Sequence, residues 1–177
     1  MSPEFYEVVD QRRSVRSYKP DPVPNESIVK ILEAARAAPS WGNKQGVHYI
    51  VVTDPERVKA LANATGKEWI GTAPAIIVAV SSPKWSGKKN GMEYFMLDTG
   101  IAFEHLVLAA TAEGLGTCWI GAFPEDAVKK VIDVPKDLKV VALTPLGYPD
   151  DEPRERDRKP LDEIVFYDRY GNASGGK

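Results

Sequence analysis

Residues 109–121, AATAEGLGTCWIG, join the longest predicted helix of the chain to a predicted strand. Apolar residues at helical spacing place that helix at about residues 92–113. Gly114 and Gly116 end it, because glycine adopts the left-handed conformation of a helix terminus without steric cost. The strand then runs from Cys118 to Gly121. On the helix, small residues in one stripe would let a second helix approach closely; the stripe is Phe95, Thr99, Ala102, Leu106 and Ala109.

Further helices and strands are predicted on both sides of this junction. Strands are expected at residues 48–53, 75–80 and 138–147, and the apolar run AIIVAV at 75–80 is typical of a buried strand. Helix starts are predicted at Ser2-Pro3, Asn25, Asp54-Pro55 and Pro124. Residues 83–91 are predicted to form a mobile loop that could serve as a lid, and 161–167 a final extended segment. Taken alone, this alternation favours a parallel α/β sheet.

The composition is that of one ordinary globular domain spanning residues 1–177. Hydrophobic residues make up 43% and charged residues 27% of the chain, and the formal net charge is -2. This balance argues against a broad nucleic-acid surface. One cysteine, no signal-peptide pattern and no apolar run long enough to span a bilayer predict a cytoplasmic protein without a membrane partner.

The segment RRSVRSY at residues 12–18 places three arginines within five positions. A run of like charges is usually a solvated face. If the segment is extended, however, Arg12, Ser14 and Arg16 share one face while Arg13 points away. Two guanidinium groups beside a hydroxyl suit a phosphate, which arginine binds in bidentate fashion. Neither a Gly-x-Gly-x-x-Gly turn after a strand nor a Gly-Lys-Ser/Thr loop is present, so arginines and lysines would have to hold such a phosphate.

In these motifs the chain resembles the nitroreductase family of flavin mononucleotide (FMN) enzymes. Four stretches in the same order carry the resemblance: residues 12–16, Pro39-Ser40 with Asn43 and Gln45, residues 109–121, and RKPLDEIV at 158–165. The resemblance implies an α+β fold with a mixed or antiparallel sheet flanked by helices. It also implies an interlocked homodimer with two FMN sites at its interface, each built from both chains.

The resemblance assigns cofactor-binding residues position by position. The phosphate of tightly bound FMN would be held by Arg12, Ser14 and Arg16 with Arg13 beside them, and by Arg158, with Arg156 and Lys159 as weaker candidates. Trp119, Ile120 and Gly121 would lie along the flavin ring. The second chain would contribute Pro39, Ser40, Trp41, Asn43 and Gln45. No metal is implied.

The implied chemistry is hydride transfer from NAD(P)H to flavin N5, followed by reduction of a nitroaromatic, quinone or similar acceptor in a ping-pong cycle. A backbone N–H at Gly121 pointing at N5 would stabilise the charge that develops there. Two alternatives stay open: a specialised flavin enzyme of the same family (reductive dehalogenation or flavin cleavage) and a non-catalytic FMN-storage dimer. DNA binding through residues 12–18 is disfavoured by the net charge.

Several positions depart from the family pattern or have two interpretations. Gly46-Val47 replaces the usual Pro-Trp, which bears on the role of Gln45. Trp41 could close one wall of the substrate site or pack at the dimer interface. Asp98 could approach the flavin or serve as a cap. His105 is interpreted as a helix-packing residue, and Cys118 as buried packing and not a nucleophile.

Overall fold

The computed structural model describes residues 4–150 and 156–172. In this part of the chain the helices are α1 (Phe5–Gln11), α2 (Asn25–Arg36), α3 (Pro55–Thr65), α4 (Tyr94–Ala112), α5 (Glu125–Val131) and α6 (Leu161–Ile164). The strands are β1 (His48–Val52), β2 (Ala75–Ser81), β3 (Lys88–Lys89), β4 (Met92–Glu93), β5 (Gly116–Thr117) and β6 (Lys139–Gly147). Short 3-10 turns occupy Trp41–Asn43, Glu68–Thr72 and Pro83–Trp85.

The main sheet has the strand order β1-β2-β6-β5, and every neighbouring pair is antiparallel. Its register pairs His48 with Val80 and Ala75 with Leu146. The parallel sheet suggested by the alternation of helices and strands is therefore wrong, because a helix between two strands does not fix the direction of the second. A single parallel bridge joins Ser14 to Thr117. The α+β fold implied by the resemblance is confirmed.

Strand β2 is the centre of the core, as its unbroken apolar sequence predicts. Its side chains alternate between the two faces of the sheet. Ile76, Val78 and Val80 pack on one face with residues of α3 and α5 such as Leu61 and Val128. Ala75, Ile77 and Ala79 pack on the other with residues of α2 and α4 such as Ile31 and Phe103. Helices therefore cover both faces of the sheet, and a strand buried on both sides needs no polar alternation.

Helix α4, with 19 residues, is the longest helix of the described residues. By length and composition alone it could cross a membrane, with a mean hydropathy of 1.3, contrary to the expectation that no apolar run is long enough. Its buried face packs against α2 and the sheet. The predicted small-residue stripe lies on that buried face, since Phe95, Thr99, Ala102 and Leu106 are all buried within the chain. The stripe is therefore part of the core, and the outward face of α4 carries Met96 and Leu97 instead.

The predicted start of α1 at Ser2-Pro3 lies outside the described residues. The predicted cap at Asn25 is wrong by one position, because Asn25 is already helical and Pro24 precedes it as the N-cap. Helix α4 begins at Tyr94 and not near residue 92, because Met92 belongs to β4. Its C-terminus is as predicted: Gly114 is left-handed (φ 74°), and the N–H of Leu115 donates to the carbonyl of Ala110 at 2.8 Å.

Three other predicted segments differ from the structure. The strand expected at 118–121 is shorter and earlier, because the N–H of Cys118 donates to the hydroxyl of Thr144 (2.9 Å) and so leaves the backbone ladder. Residues 161–167 are not extended throughout; they begin with the helical turn α6, for which Pro160 provides the start. Residues 83–91 hold a 3-10 turn and most of a β3–β4 hairpin, not an unstructured loop.

A buried ion pair on α5 gives the fold a testable weak point. The Lys129 ammonium, 7% exposed, lies 2.8 Å from Glu125 Oε1, which also accepts from the Val140 N–H. Although burial alone would raise it, these hydrogen bonds hold the pKa of Glu125 below its usual value. Replacing Glu125 with alanine is therefore expected to lower the free energy of unfolding by about 3 kcal/mol, because the buried Lys129 ammonium loses its carboxylate partner. The carbonyl of Lys136, 3.3 Å away, would remain as a neutral acceptor.

Urea denaturation measures this loss, with Glu68→Ala as an exposed control. Adding Lys129→Met to Glu125→Ala should restore much of the stability, because no unpaired charge then remains. Since the folded pKa of Glu125 is depressed, its contribution is present above the unfolded pKa of about 4.3 and is lost as the pH falls below it. A Glu125→Ala protein as stable as the control would contradict this account.

Candidate active site

Residues 12–18, which we call the arginine segment, cross the edge of the sheet directly after α1. The N–H of Val15 donates to the carbonyl of Thr117 at 2.9 Å, and Val15 and Tyr18 are buried beneath it. Because side chains of an extended segment alternate, Ser14 and Arg16 point away from the buried Val15 and are exposed. Arg13 turns away, and its guanidinium donates to the backbone carbonyls of Asp10 and Arg12.

Cys118 is buried near this segment, and the pKa of its thiol depends on side chains of the segment. Burial raises the pKa of its thiol, while the charge of Arg16, a hydrogen bond from Ser14 and the charge of Arg12 oppose that shift. The Ser14 hydroxyl and the charges of Arg12 and Arg16 therefore all lie near enough to influence the Cys118 thiol. A buried thiol with a raised pKa is inert, so the interpretation of Cys118 as packing is supported.

Arg12 also contacts α4, where its Nε lies 3.8 Å from Glu104 Oε1. Burial raises the pKa of Glu104, while the charges of Arg12 and His105 lower it. Among the C-terminal basic residues, Arg156 reaches this region: it donates to Val9 O at 3.0 Å and to Asp10 Oδ1 at 2.6 Å.

The other two C-terminal basic residues lie differently. Arg158 is exposed and donates to the carbonyl of Asp157 (2.7 Å), and Lys159 is exposed as well. Within one chain, Arg156 is therefore bonded to the end of α1, next to the arginine segment, whereas Arg158 bonds to its neighbour Asp157. The assignment of Arg158 to the phosphate, which the resemblance favours, stays a prediction.

Trp119, Ile120 and Gly121 follow the strand that the arginine segment bridges. The Trp119 ring is 42% exposed and meets Phe103 edge-on at 5.3 Å. Ile120 is buried, and its N–H and carbonyl both bond to Leu143 at 3.0 Å. Gly121 is exposed, and among the described residues its N–H has no recorded hydrogen-bond partner. An unbonded N–H is thus available beside an exposed aromatic ring.

The loop between α2 and β1 is held in an unusual conformation by Asp98. Gly42, Asn43 and Gln45 are left-handed, with φ of 51°, 54° and 53°, which is uncommon outside glycine. Asp98, 3% exposed, accepts from the Trp41 N–H at 2.8 Å and from the Ser86 hydroxyl. The Gln45 N–H donates to the Ser40 hydroxyl at 2.9 Å. Asp98 therefore caps the loop within this chain.

Two tryptophans join this loop to the β3–β4 hairpin. The Trp41 ring lies 4.2 Å from Tyr94 and covers Gly87, where a Cβ atom would overlap the indole. A Cβ atom on Gly46 would lie 2.5 Å from the carbonyl oxygen of Trp85. This close approach requires glycine at position 46. Trp41 is therefore a packing residue within the chain.

A cavity of about 620 Å³ lies between this loop, α2, β1 and α4. Its lining includes Pro39, Ser40, Gln45 and Tyr49. The Tyr49 hydroxyl is buried without a hydrogen-bond partner among the described residues, and burial raises its pKa to about 12. His105 packs nearby with Nδ1 3.2 Å from the carbonyl of Ala34, which supports its interpretation as a helix-packing residue.

The loop and the arginine segment contact different parts of α4 in one chain. The loop is bonded to Asp98, whereas Arg12 pairs with Glu104. Six residues separate these positions, which corresponds to about 9 Å along the helix and roughly 120° around it. In the part of the chain that the structure describes, no group of three or more His, Cys, Asp or Glu residues is arranged for a metal ion.

The sequence profile described as "Nitroreductase family" matches residues 9–70 and 63–148. The chain belongs to the nitroreductase family. A crystal structure of a nitroreductase family protein from Clostridium novyi NT has a TM-score of 0.82 and 41% identity, covering 96% of each chain. This protein is also 30% identical over 190 residues to FMN reductase [NAD(P)H] of Bacillus subtilis, covering 96% of this chain and 75% of that one.

Another relative is longer than this chain within the matched region. Iodotyrosine deiodinase 1 of Homo sapiens is 29% identical over 199 residues, covering 93% of this chain and 68% of the deiodinase. The aligned stretch is longer than the 177 residues of this chain, so the deiodinase contains inserted segments that this chain lacks.

Proposed function

We propose that this nitroreductase-family protein is an NAD(P)H-dependent FMN oxidoreductase that reduces nitroaromatics, quinones or similar acceptors by a ping-pong mechanism. The observation that carries the proposal is that Arg12, Ser14 and Arg16 all lie near Cys118 at one edge of the sheet. Gly121 follows three residues later, and its N–H has no hydrogen-bond partner among the described residues. The relatedness to an FMN reductase supports the cofactor and the electron donor.

The residues at this edge fit the phosphate of FMN. Two guanidinium groups and a hydroxyl supply several donors to a dianion, and charge-assisted bonds of this kind are about twice as strong as neutral ones. Arg156, tied to the end of α1, is placed to add to the positive potential. Tight retention of FMN is expected on this ground, with Arg12 and Arg16 as the main contributors.

The chemistry supplied by bound FMN is two-electron transfer, from reduced nicotinamide and then to an oxidant. The chain itself contributes position and polarity. Trp119 offers an exposed ring edge along which a planar cofactor could lie, and the Gly121 N–H offers a fixed donor to a flavin nitrogen that gains negative charge. Asp98 holds the loop that carries Pro39, Ser40, Trp41, Asn43 and Gln45, and so positions it without touching the reacting atoms.

We propose that the loop reaches the flavin of a partner subunit in an interlocked homodimer. The two halves of the site lie on different sides of α4, which favours their coming from two chains. The outward face of α4 exposes Met96 (60%) and Leu97 (54%), and the C-terminal segment exposes Leu161, Ile164 and Tyr170. A two-fold dimer in which the C-terminal segment wraps onto the partner would cover these apolar side chains.

We also propose a single domain over residues 1–177 and a cytoplasmic location. Hydrophobic clusters on both faces of one sheet support the first, and the buried free thiol of Cys118 is compatible with the second. Neither a nucleic-acid nor a membrane partner is proposed.

Reductive dehalogenation is a second candidate, favoured by the relatedness to iodotyrosine deiodinase 1. The inserted segments of that relative are missing here, and the β3–β4 hairpin is the element left to act as a lid. A panel of oxidants separates the candidates: the reduced protein is mixed with menadione, nitrofurazone and iodotyrosine, and the flavin absorbance is followed. We expect rapid reoxidation by the first two. Reoxidation by iodotyrosine alone would overturn the proposed acceptor class.

A further inference from the structure

Four exposed lysines belong to two distant parts of the sequence that are in contact in the fold. Lys44 belongs to the α2–β1 loop, whereas Lys84, Lys88 and Lys89 belong to the hairpin region; all four are exposed. The two regions are in direct contact, because Gly46 packs against Trp85 and the Trp41 ring covers Gly87. We call these four residues the lysine rim.

The lysine rim is strongly positive although the chain as a whole has a net charge of -2. In residues 39–46 and 82–93, Glu93 is the single acidic residue. It lies 3.4 Å from Lys88 Nζ. Among the described residues no ion pair is recorded for the other three lysines, Lys44, Lys84 and Lys89. The nearby Asp98 is buried and bonded to the Trp41 N–H and the Ser86 hydroxyl, and its negative charge offsets one further lysine. Four lysines against Glu93 and Asp98 still leave the two regions with a net positive charge.

The backbone of the loop and of the hairpin that carry the lysine rim is held in place by hydrogen bonds to α4. The Tyr94 N–H donates to the Gly87 carbonyl at 2.9 Å, and Asp98 ties the loop and the hairpin to the first turns of α4. The lysines are thus presented at a fixed position relative to the loop that is proposed to reach the partner's flavin. A substrate anion beside that loop would meet positive charge without an ordering step.

We propose that the lysine rim binds the phosphates of the reduced nicotinamide dinucleotide and makes the protein prefer NADPH over NADH. The inference rests on the proposed function, because the nicotinamide must lie at the flavin beside the loop. From there the dinucleotide extends outward with its pyrophosphate, and NADPH adds a 2′-phosphate. Each exposed charge pair contributes up to roughly five-fold in affinity, so three unpaired lysines are expected to contribute about ten-fold or more.

The test compares Lys44→Gln/Lys84→Gln/Lys89→Gln with the FMN-loaded wild type. Binding of the tetrahydro analogues of NADPH and NADH, which cannot transfer hydride, is measured by calorimetry at low and high salt. The triple variant should bind the NADPH analogue about ten-fold more weakly at low salt, with a smaller loss for the NADH analogue. Salt should weaken wild-type binding more than variant binding, since exposed charges are screened beyond about 8 Å at physiological ionic strength.

A matched control carries the same charge change elsewhere: Lys59→Gln/Lys130→Gln/Lys136→Gln, all exposed lysines on or near α3 and α5. If the rim and control variants bind both analogues alike, the inference is wrong. The inference is also wrong if the triple rim variant has a higher KM for the anionic acceptor anthraquinone sulfonate but unchanged affinity for both dinucleotide analogues. The lysine rim would then bind the oxidant and not the dinucleotide. Failure of the proposed function looks different: dithionite bleaches the bound FMN of the wild type, whereas neither NADPH nor NADH does.

Discussion

Replacing Arg16 with alanine is expected to weaken FMN binding by about 1.5–3 kcal/mol, or roughly 10- to 150-fold in Kd. Arg12→Ala is expected to have an effect of the same size. Both guanidinium groups are proposed to donate charge-assisted hydrogen bonds to the phosphate, and each variant removes one of them. Fluorescence titration of the apoprotein with FMN measures the loss, because flavin emission changes on binding.

Riboflavin provides the decisive comparison for these variants. It lacks the phosphate, so it should bind the wild type poorly and lose little further affinity in Arg16→Ala. Arg57→Ala is a suitable control, since Arg57 lies on α3 and bonds to the carbonyl of Val131, away from the arginine segment. If the Arg16→Ala protein binds FMN as tightly as the Arg57→Ala control, the proposal that Arg16 binds the FMN phosphate is wrong.

A mixed dimer of two inactive variants is expected to regain about half of the wild-type activity. One chain carries Arg12→Ala/Arg16→Ala, and a separately tagged chain carries Asn43→Gly. Glycine is chosen because Asn43 is left-handed (φ 54°), so the side chain is removed without backbone strain. If each site takes its phosphate-binding residues from one chain and its loop from the other, one site of the mixed dimer holds both lesions and the other holds neither.

The two homodimers are the controls for this experiment, because each has the same lesion in both of its sites. FMN content distinguishes the outcomes further: the mixed dimer should retain one tightly bound FMN per two chains. A mixed dimer with two equally impaired sites and no recovery would show that each flavin is bound within a single chain. Light scattering that gives a 19.5 kDa monomer with FMN bound would contradict the shared site as well.

Much of the fold could be predicted from the sequence because the signals were local. The apolar run at 75–80 predicted a buried strand, and the structure places its alternate side chains in two core clusters. Gly114 predicted the end of α4 from the conformation that glycine permits. Strand direction could not be predicted in this way, because it depends on how distant segments pair. The same holds for the strand at 118–121, which the Thr144 hydroxyl interrupts from a different part of the chain.

In the candidate site too, features with a local sequence signal could be predicted, and features that depend on distant contacts could not. Alternation predicted that Arg12, Ser14 and Arg16 share a face; Ser14 and Arg16 are exposed on either side of the buried Val15, as alternation requires. The capping role of Asp98 and the proximity of Arg156 to α1 depend on contacts across 57 and 147 positions of sequence, for which no local signal exists. The lysine rim could not be predicted from the sequence either, because the regions of Lys44 and Lys84 meet only through the packing of Gly46 on Trp85.

An anaerobic titration of the purified, FMN-loaded protein with NADPH and with NADH tests the central claim most directly. The account predicts a yellow protein whose flavin absorbance bleaches within seconds on addition of one equivalent of reduced nicotinamide, and returns when menadione is added. A colourless protein that rejects added FMN would contradict the account, and so would a yellow one that bleaches with dithionite but with neither NADPH nor NADH.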